Sequence, residues 1–119
     1  MSNVKPLKQE DARALKALLD ALGTFLKLDP NMPVQQIRAF LLVAMEEGLG
    51  TMELSERAGI DNTVMTRHIA GLADLNRYKT EGHNLVYQKT DVLDKRTRKA
   101  YLTPDGVTKR HEIVRAMQH

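Results

Sequence analysis

A mainly α-helical domain carrying a small β-hairpin is what this sequence predicts, on three observations. Helical apolar periodicity runs through most of the chain and fades from residue 77. Two runs of branched and aromatic residues then follow, "NLVYQKT" and "RKAYLT", with the charged turn "DVLDKR" between them. "TPDG" next starts a new helix: Thr103 caps, Pro104 suits the first turn and Asp105 favours the positive helix end. With 119 residues, 42% hydrophobic and 28% charged, the chain suits one globular domain over 1–119.

The first helix falls within residues 7–28. Leu15, Leu18, Leu19, Leu22 and Leu26 recur at three- and four-residue steps as one stripe. Such a stripe serves either a core helix or a dimerisation helix, and composition does not choose between them. "LDPNMP" breaks the chain, because Pro30 disfavours helix at Asp29 and Pro33 fits a new first turn. The helix it opens, "PVQQIRAFLLVAMEEG", is apolar around much of its circumference and reads as the central core helix, stopping at Gly48.

Residues 51–73 have the layout of a helix-turn-helix. Thr51 is a plausible N-cap of a short helix that ends at Gly59, with Leu54 and Ala58 on one face. Ile60 plugs the core and Asp61 caps the second helix, whose Met65, Ile69 and Leu72 face inward. The outer face then carries Asn62, Thr63, Val64, Thr66 and Arg67. These types suit a major groove: Asn pairs with adenine edges, Arg with guanine or phosphate, and Thr with either. An ordinary helical hairpin with a polar face would look similar.

The hairpin, 85–103, separates these readings. Net charge is only +3 and the pI about 9.3, but Lys89, Lys95, Arg96, Arg98, Lys99, Lys109 and Arg110 crowd into residues 89–110. A basic turn placed directly after a helix-turn-helix is a wing, so the predicted architecture is a winged helix-turn-helix. An arginine at its tip gains from the negative potential of a narrow minor groove. Asp94 can pair with Arg96 or Arg98 and aim its guanidinium. The last helix spans 104–117, with Val107, Ile113, Val114 and Met117 as its apolar side.

"ELSERAGIDNTVMTRHIAGL" resembles the helix-turn-helix of the MarR family of bacterial regulators. "DVLDKRTRKAYLTPDG" resembles that family's wing signature, with Asp91, Asp94, Arg96, Leu102, Thr103 and Gly106 in register; "MPVQQIRAFLLVA" is similar to the preceding helix. The resemblance implies a homodimeric, sequence-specific regulator of transcription, most often a repressor, bound to double-stranded DNA. It implies DNA contacts from Thr51, Asn62, Thr63, Thr66, Arg67, Asp94, Lys95, Arg96, Arg98 and Lys99, with Arg96 at the wing tip. Dimerisation is expected through Leu15, Leu18, Leu19, Leu22, Leu26, Ile113 and Met117.

Two departures stand beside the resemblance. The loop "NRYKTEGHN", 76–84, is longer than the family's short link, resembles phage or mobile-element variants, and can add a contact through Arg77 or Lys79. The chain also stops soon after its last helix, where family members continue into another, so the dimer would rest on the first and last helices. A small-molecule effector is left unassigned.

Several classes are set aside. The absence of Cys excludes disulfides and thiol chemistry. Aromatics at 4%, with no Trp, are few for a single-strand stacking platform. His68, His83, His111 and His119 lack metal-ligand spacing. Glu46-Glu47 and Asp91/Asp94 have no accompanying nucleophile or base, so the expectation is no enzyme, no metal and no cofactor. The start lacks a signal peptide's apolar core and no run suits a bilayer span, which predicts a cytoplasmic protein without membrane partners. The competing functions are a winged-helix protein-interaction module, such as a phage factor binding a host protein, and the DNA-recognition part of a replication or packaging complex.

Overall fold

The computed structural model describes residues 5–73, 82–94 and 97–118. Five helices and three short strands follow in the order α1 Gln9–Leu28, α2 Val34–Met45, β1 Leu49–Gly50, α3 Thr51–Ala58, α4 Asn62–Leu72, β2 Val86–Thr90, β3 Arg98–Leu102 and α5 Pro104–Met117. No helix among the described residues is long and apolar enough to cross a membrane.

Helix α2 is the hub. Ile37, Ala39, Phe40 and Val43 are buried on it, together with Leu54 of α3 and Met65, Ile69 and Leu72 of α4. It ends at Met45, three residues before the expected stop. Phe40 meets Phe25 of α1 edge-on, with ring centroids 5.6 Å apart at 72°, a geometry worth about 0.5–1.5 kcal/mol beyond area burial. Gly71 brings α4 close to α2: a Cβ there would lie 2.9 Å from the Gln36 amide nitrogen.

Of the two readings left open for the α1 leucines, the core stripe does not hold within the single chain. The face turned to the body carries Ala17, Ala21 and Phe25, at i, i+4 and i+8. Leu15, Leu18, Leu19 and Leu26 are exposed, and Leu22 is half-buried at the border. Small alanines permit close helix contact, and α1 packs along α5 there. Lys109 ties the two helices by donating to the Thr24 carbonyl at 2.8 Å. On α5 the inward residues are Gly106, Val107 and Ile113, while Val114 and Met117 of the expected apolar side remain exposed.

The sheet has one strand more than the expected hairpin. Order is β1-β3-β2, all antiparallel, with Leu49 opposite Ala100 and Val86 opposite Leu102. At two residues, β1 is too short to carry a period. Two carboxylates brace this corner. Glu47 accepts from the Leu102 N–H at 2.8 Å and lies 4.0 Å from Arg110; Glu46 pairs with Arg57 at 2.7 Å. Thr103 accepts from the Gly106 N–H at 3.0 Å, the expected cap of α5.

Candidate nucleic-acid interface

The turn between α3 and α4 sets the angle of the second helix. Gly59 ends α3 in the left-handed conformation, φ 69°, which glycine adopts without Cβ strain. Asp61 caps α4 by accepting from the Thr63 N–H at 2.7 Å. Met65, Ile69 and Leu72 are all 0% exposed. Burying that stripe completely forces the opposite face outward, so Asn62, Thr63, Thr66 and Arg67 are exposed. Thr66 donates its hydroxyl to the Asn62 carbonyl at 2.8 Å. It therefore presents an acceptor and a methyl group to a ligand, rather than a donor.

At the start of α3 the cap differs from expectation. Gly50 is the N-cap and Thr51 the first helical residue; the Glu53 carboxylate accepts from the Gly50 N–H at 3.3 Å. Thr51 instead lines a cleft of about 460 Å³ between the helix pair and the sheet. Asn62, Thr66 and Arg98 also line it, so four expected contact residues from three elements meet there. Gly50, Met52, Glu53, Gln88 and Thr97 complete the wall and were not among the expected contacts. Gln88 was findable: strand alternation puts it on the face of buried Val86, opposite the stacked Tyr87 and Tyr101, whose centroids are 5.5 Å apart.

The wing is braced by its own acids. Asp91 donates its N–H to the Thr97 carbonyl at 2.8 Å, and its carboxylate accepts from the Leu93 N–H at 3.0 Å. The same carboxylate lies 3.3 Å from the Lys99 ammonium. The Leu93 N–H, and then Lys99, hold the Asp91 pKa below the usual carboxylate value. Asp94 accepts from the Thr97 N–H through its carbonyl and from the Thr97 hydroxyl through its carboxylate, at 3.0 and 2.8 Å. The first acid of the motif thus orients a lysine, and the second locks the turn backbone. The expected tip residues Lys95 and Arg96, and the loop residues Arg77 and Lys79, lie outside the described residues.

Of the expected interface leucines, Leu15, Leu18, Leu19 and Leu26 form an exposed ridge on α1, and Met117 is exposed on α5. Leu22 and Ile113 pack partly against the core. Among the described residues no group of three or more His, Asp or Glu side chains is placed to hold a metal ion.

No protein-family model and no curated protein matches this sequence. Solved structures do. The PcaV transcriptional regulator from Streptomyces coelicolor, in complex with its natural ligand, superposes at a TM-score of 0.61 with 18% identity, over 98% of this chain and 78% of that one. A MarR transcriptional regulator from Methanosarcina mazei Go1 gives 0.63 and 19%, over 90% and 72% of the two chains. MepR of S. aureus, in complex with DNA, gives 0.61 and 13%, over 91% and 75%. Five helices around a small antiparallel sheet, with a helix-turn-helix leading into a wing, are the winged-helix fold of MarR-family regulators, and that is the fold of this chain.

Proposed function

We propose that this protein is a DNA-binding transcriptional regulator that acts as a homodimer, most often to repress. One observation carries the reading: the exposed polar face of α4 and the wing base open onto the same cleft, through Asn62, Thr66 and Arg98. In this reading α4 enters the major groove. Asn62, Thr63, Thr66 and Arg67 face base edges and backbone there, and Thr51 faces a flanking phosphate. The wing lies on the adjacent minor groove, with Arg98 and Lys99 at its base and Arg96 at its tip by the motif. MepR, a structural neighbour at 13% identity, is seen in complex with DNA.

The leucine ridge on α1 and Met117 supply the apolar surface for a second copy. A two-fold dimer places its recognition helices about one turn of DNA, roughly 34 Å, apart. The reading is of a binding protein rather than an enzyme. PcaV is seen with a ligand, but the apolar groove between α2 and α5, lined by Leu41, Ala44, Met45, Arg110, Ile113 and Val114, holds about 200 Å³. Ligand pockets usually start near ~300 Å³, so no effector is proposed.

The test is selection of bound sequences from random DNA, followed by binding across a salt series. A recovered near-palindrome with a steep salt dependence is expected. Affinity no higher than for random DNA would favour a protein-interaction module instead.

A further inference from the structure

The wing carries a feature that phosphate contact does not use. Val92 and Leu93, at its tip, are 82% and 96% exposed, more than any other large apolar side chain among the described residues. Solvent exposure of two adjacent aliphatic groups contributes nothing to the fold. Yet their backbone is held: the Asp91 carboxylate accepts from the Leu93 N–H, Asp91 and Thr97 bond across the turn, and Asp94 holds Thr97. A held apolar tip loses less conformational freedom on contact than a loose one.

The surroundings say what covers it. Arg98 and Lys99 stand at the base of the same turn, and Lys89 lies opposite Lys99 in the sheet register. Arg98 also lines the cleft shared with the recognition helix. Asp91 and Asp94 flank the tip, but the Asp91 carboxylate lies 3.3 Å from Lys99 and that of Asp94 accepts from the Thr97 hydroxyl. An apolar tip above a cationic base therefore fits a surface that is anionic at its edges and walled by sugar carbons. The minor groove of duplex DNA is such a surface: phosphates rim it and deoxyribose and base edges line it. Proteins that push aliphatic side chains between base steps there kink the duplex.

We propose that Val92 and Leu93 form an apolar wedge that enters the minor groove and bends the bound DNA. This rests on the DNA-binding reading above. The wedge gives the wing a role in sequence choice without hydrogen bonds, because flexible pyrimidine–purine steps open at lower cost than stiff ones.

The experiment uses the full-length protein and a DNA fragment enriched by the wild type from a random pool. Affinity is read by fluorescence polarisation across salt, and bending by end-to-end energy transfer. The double variant Val92→Ser/Leu93→Ser is expected to lose about ten- to a hundredfold in affinity, by analogy with burial of aliphatic side chains. Its bend should relax while its salt slope stays that of the wild type, since no phosphate contact is removed. Leu93→Met should keep both affinity and bend. Both sites are exposed, so circular dichroism should show an unchanged fold. An unchanged bend and affinity in the double variant overturn the wedge and leave DNA binding standing. A flattened salt slope overturns it too, because the wing would then have shifted. So does a lower mass by light scattering with bending intact, which would mark the tip as a contact between copies. If the wild type enriches no sequence, the DNA-binding reading fails and the wedge with it.

Discussion

Helices α4 and α1 are both amphipathic, and they solve opposite problems. On α4 the large aliphatics Met65, Ile69 and Leu72 are fully buried and the polar residues face out. On α1 the small residues Ala17 and Ala21 are buried with Phe25, and a ridge of leucines faces out, with Leu19 69% exposed. The exposed face of α4 offers hydrogen bonds and a cation, which suit a polar partner. That of α1 offers aliphatic area, which suits another protein surface. A helix's free face, rather than its overall hydrophobicity, therefore indicates what kind of partner it can take.

The difference can be broken at either helix. The largest effect is expected from Leu15→Glu/Leu18→Glu/Leu19→Glu. All three side chains are exposed in the single chain, so the fold should survive, while light scattering should show half the wild-type mass. With two recognition helices no longer linked, affinity for a two-half-site operator should fall by about 10²–10⁴. A wild-type mass in this variant would remove α1 from the dimer.

Ile69→Ala should do the reverse. It empties a fully buried position and should cost about 2–5 kcal/mol of stability in chemical denaturation. Leu19→Ala should move stability by no more than about 0.5 kcal/mol at concentrations where the chain is monomeric. Equal losses at the two positions would mean that the α1 ridge is covered in the monomer.

Arg67→Ala probes the polar face. It should weaken operator binding by about 1–3 kcal/mol and relax preference at one base position, or flatten the salt slope by about one if Arg67 meets phosphate. Binding unchanged in strength, preference and salt slope would take Arg67 out of the interface.

The smallest effect is expected from pH. Burial lowers the His68 pKa below 6.5, because it disfavours the imidazolium. As pH falls through 6.5 the unfolded chain binds this proton before the folded one does, so stability is present above that pH and declines below it. His68→Gln should flatten the decline of the thermal midpoint below pH 6.5. Superimposable wild-type and variant curves would assign the decline to other groups.

Much of this contrast was legible in the residues. On α4, one stripe of large aliphatics at i, i+4 and i+7 had no competing apolar face, so its burial and the exposure of Asn62 and Arg67 followed. The caps at Asp61 and Thr103 were legible because capping is decided by a residue's own backbone and its neighbours two or three positions on. The wing could be placed for the same reason: its strands alternate and its turn is charged. The acids within it were not readable in detail. Whether Asp91 reaches Lys99, or Asp94 reaches Thr97, depends on hairpin register and on how the turn closes.

By itself, then, the sequence determined the order and type of the long elements, the core of α4 and the position of the wing, because local periodicity and capping act over a few residues. Tertiary structure alone decided which face of α1 is buried, since alanine outcompetes leucine only where a second helix approaches closely. It also decided the third strand at Leu49–Gly50, whose two residues gain a partner only when Ala100 is brought beside them. The cleft that joins Asn62, Thr66 and Arg98 likewise exists only once α4 and β3 are packed, because no single segment holds all its walls.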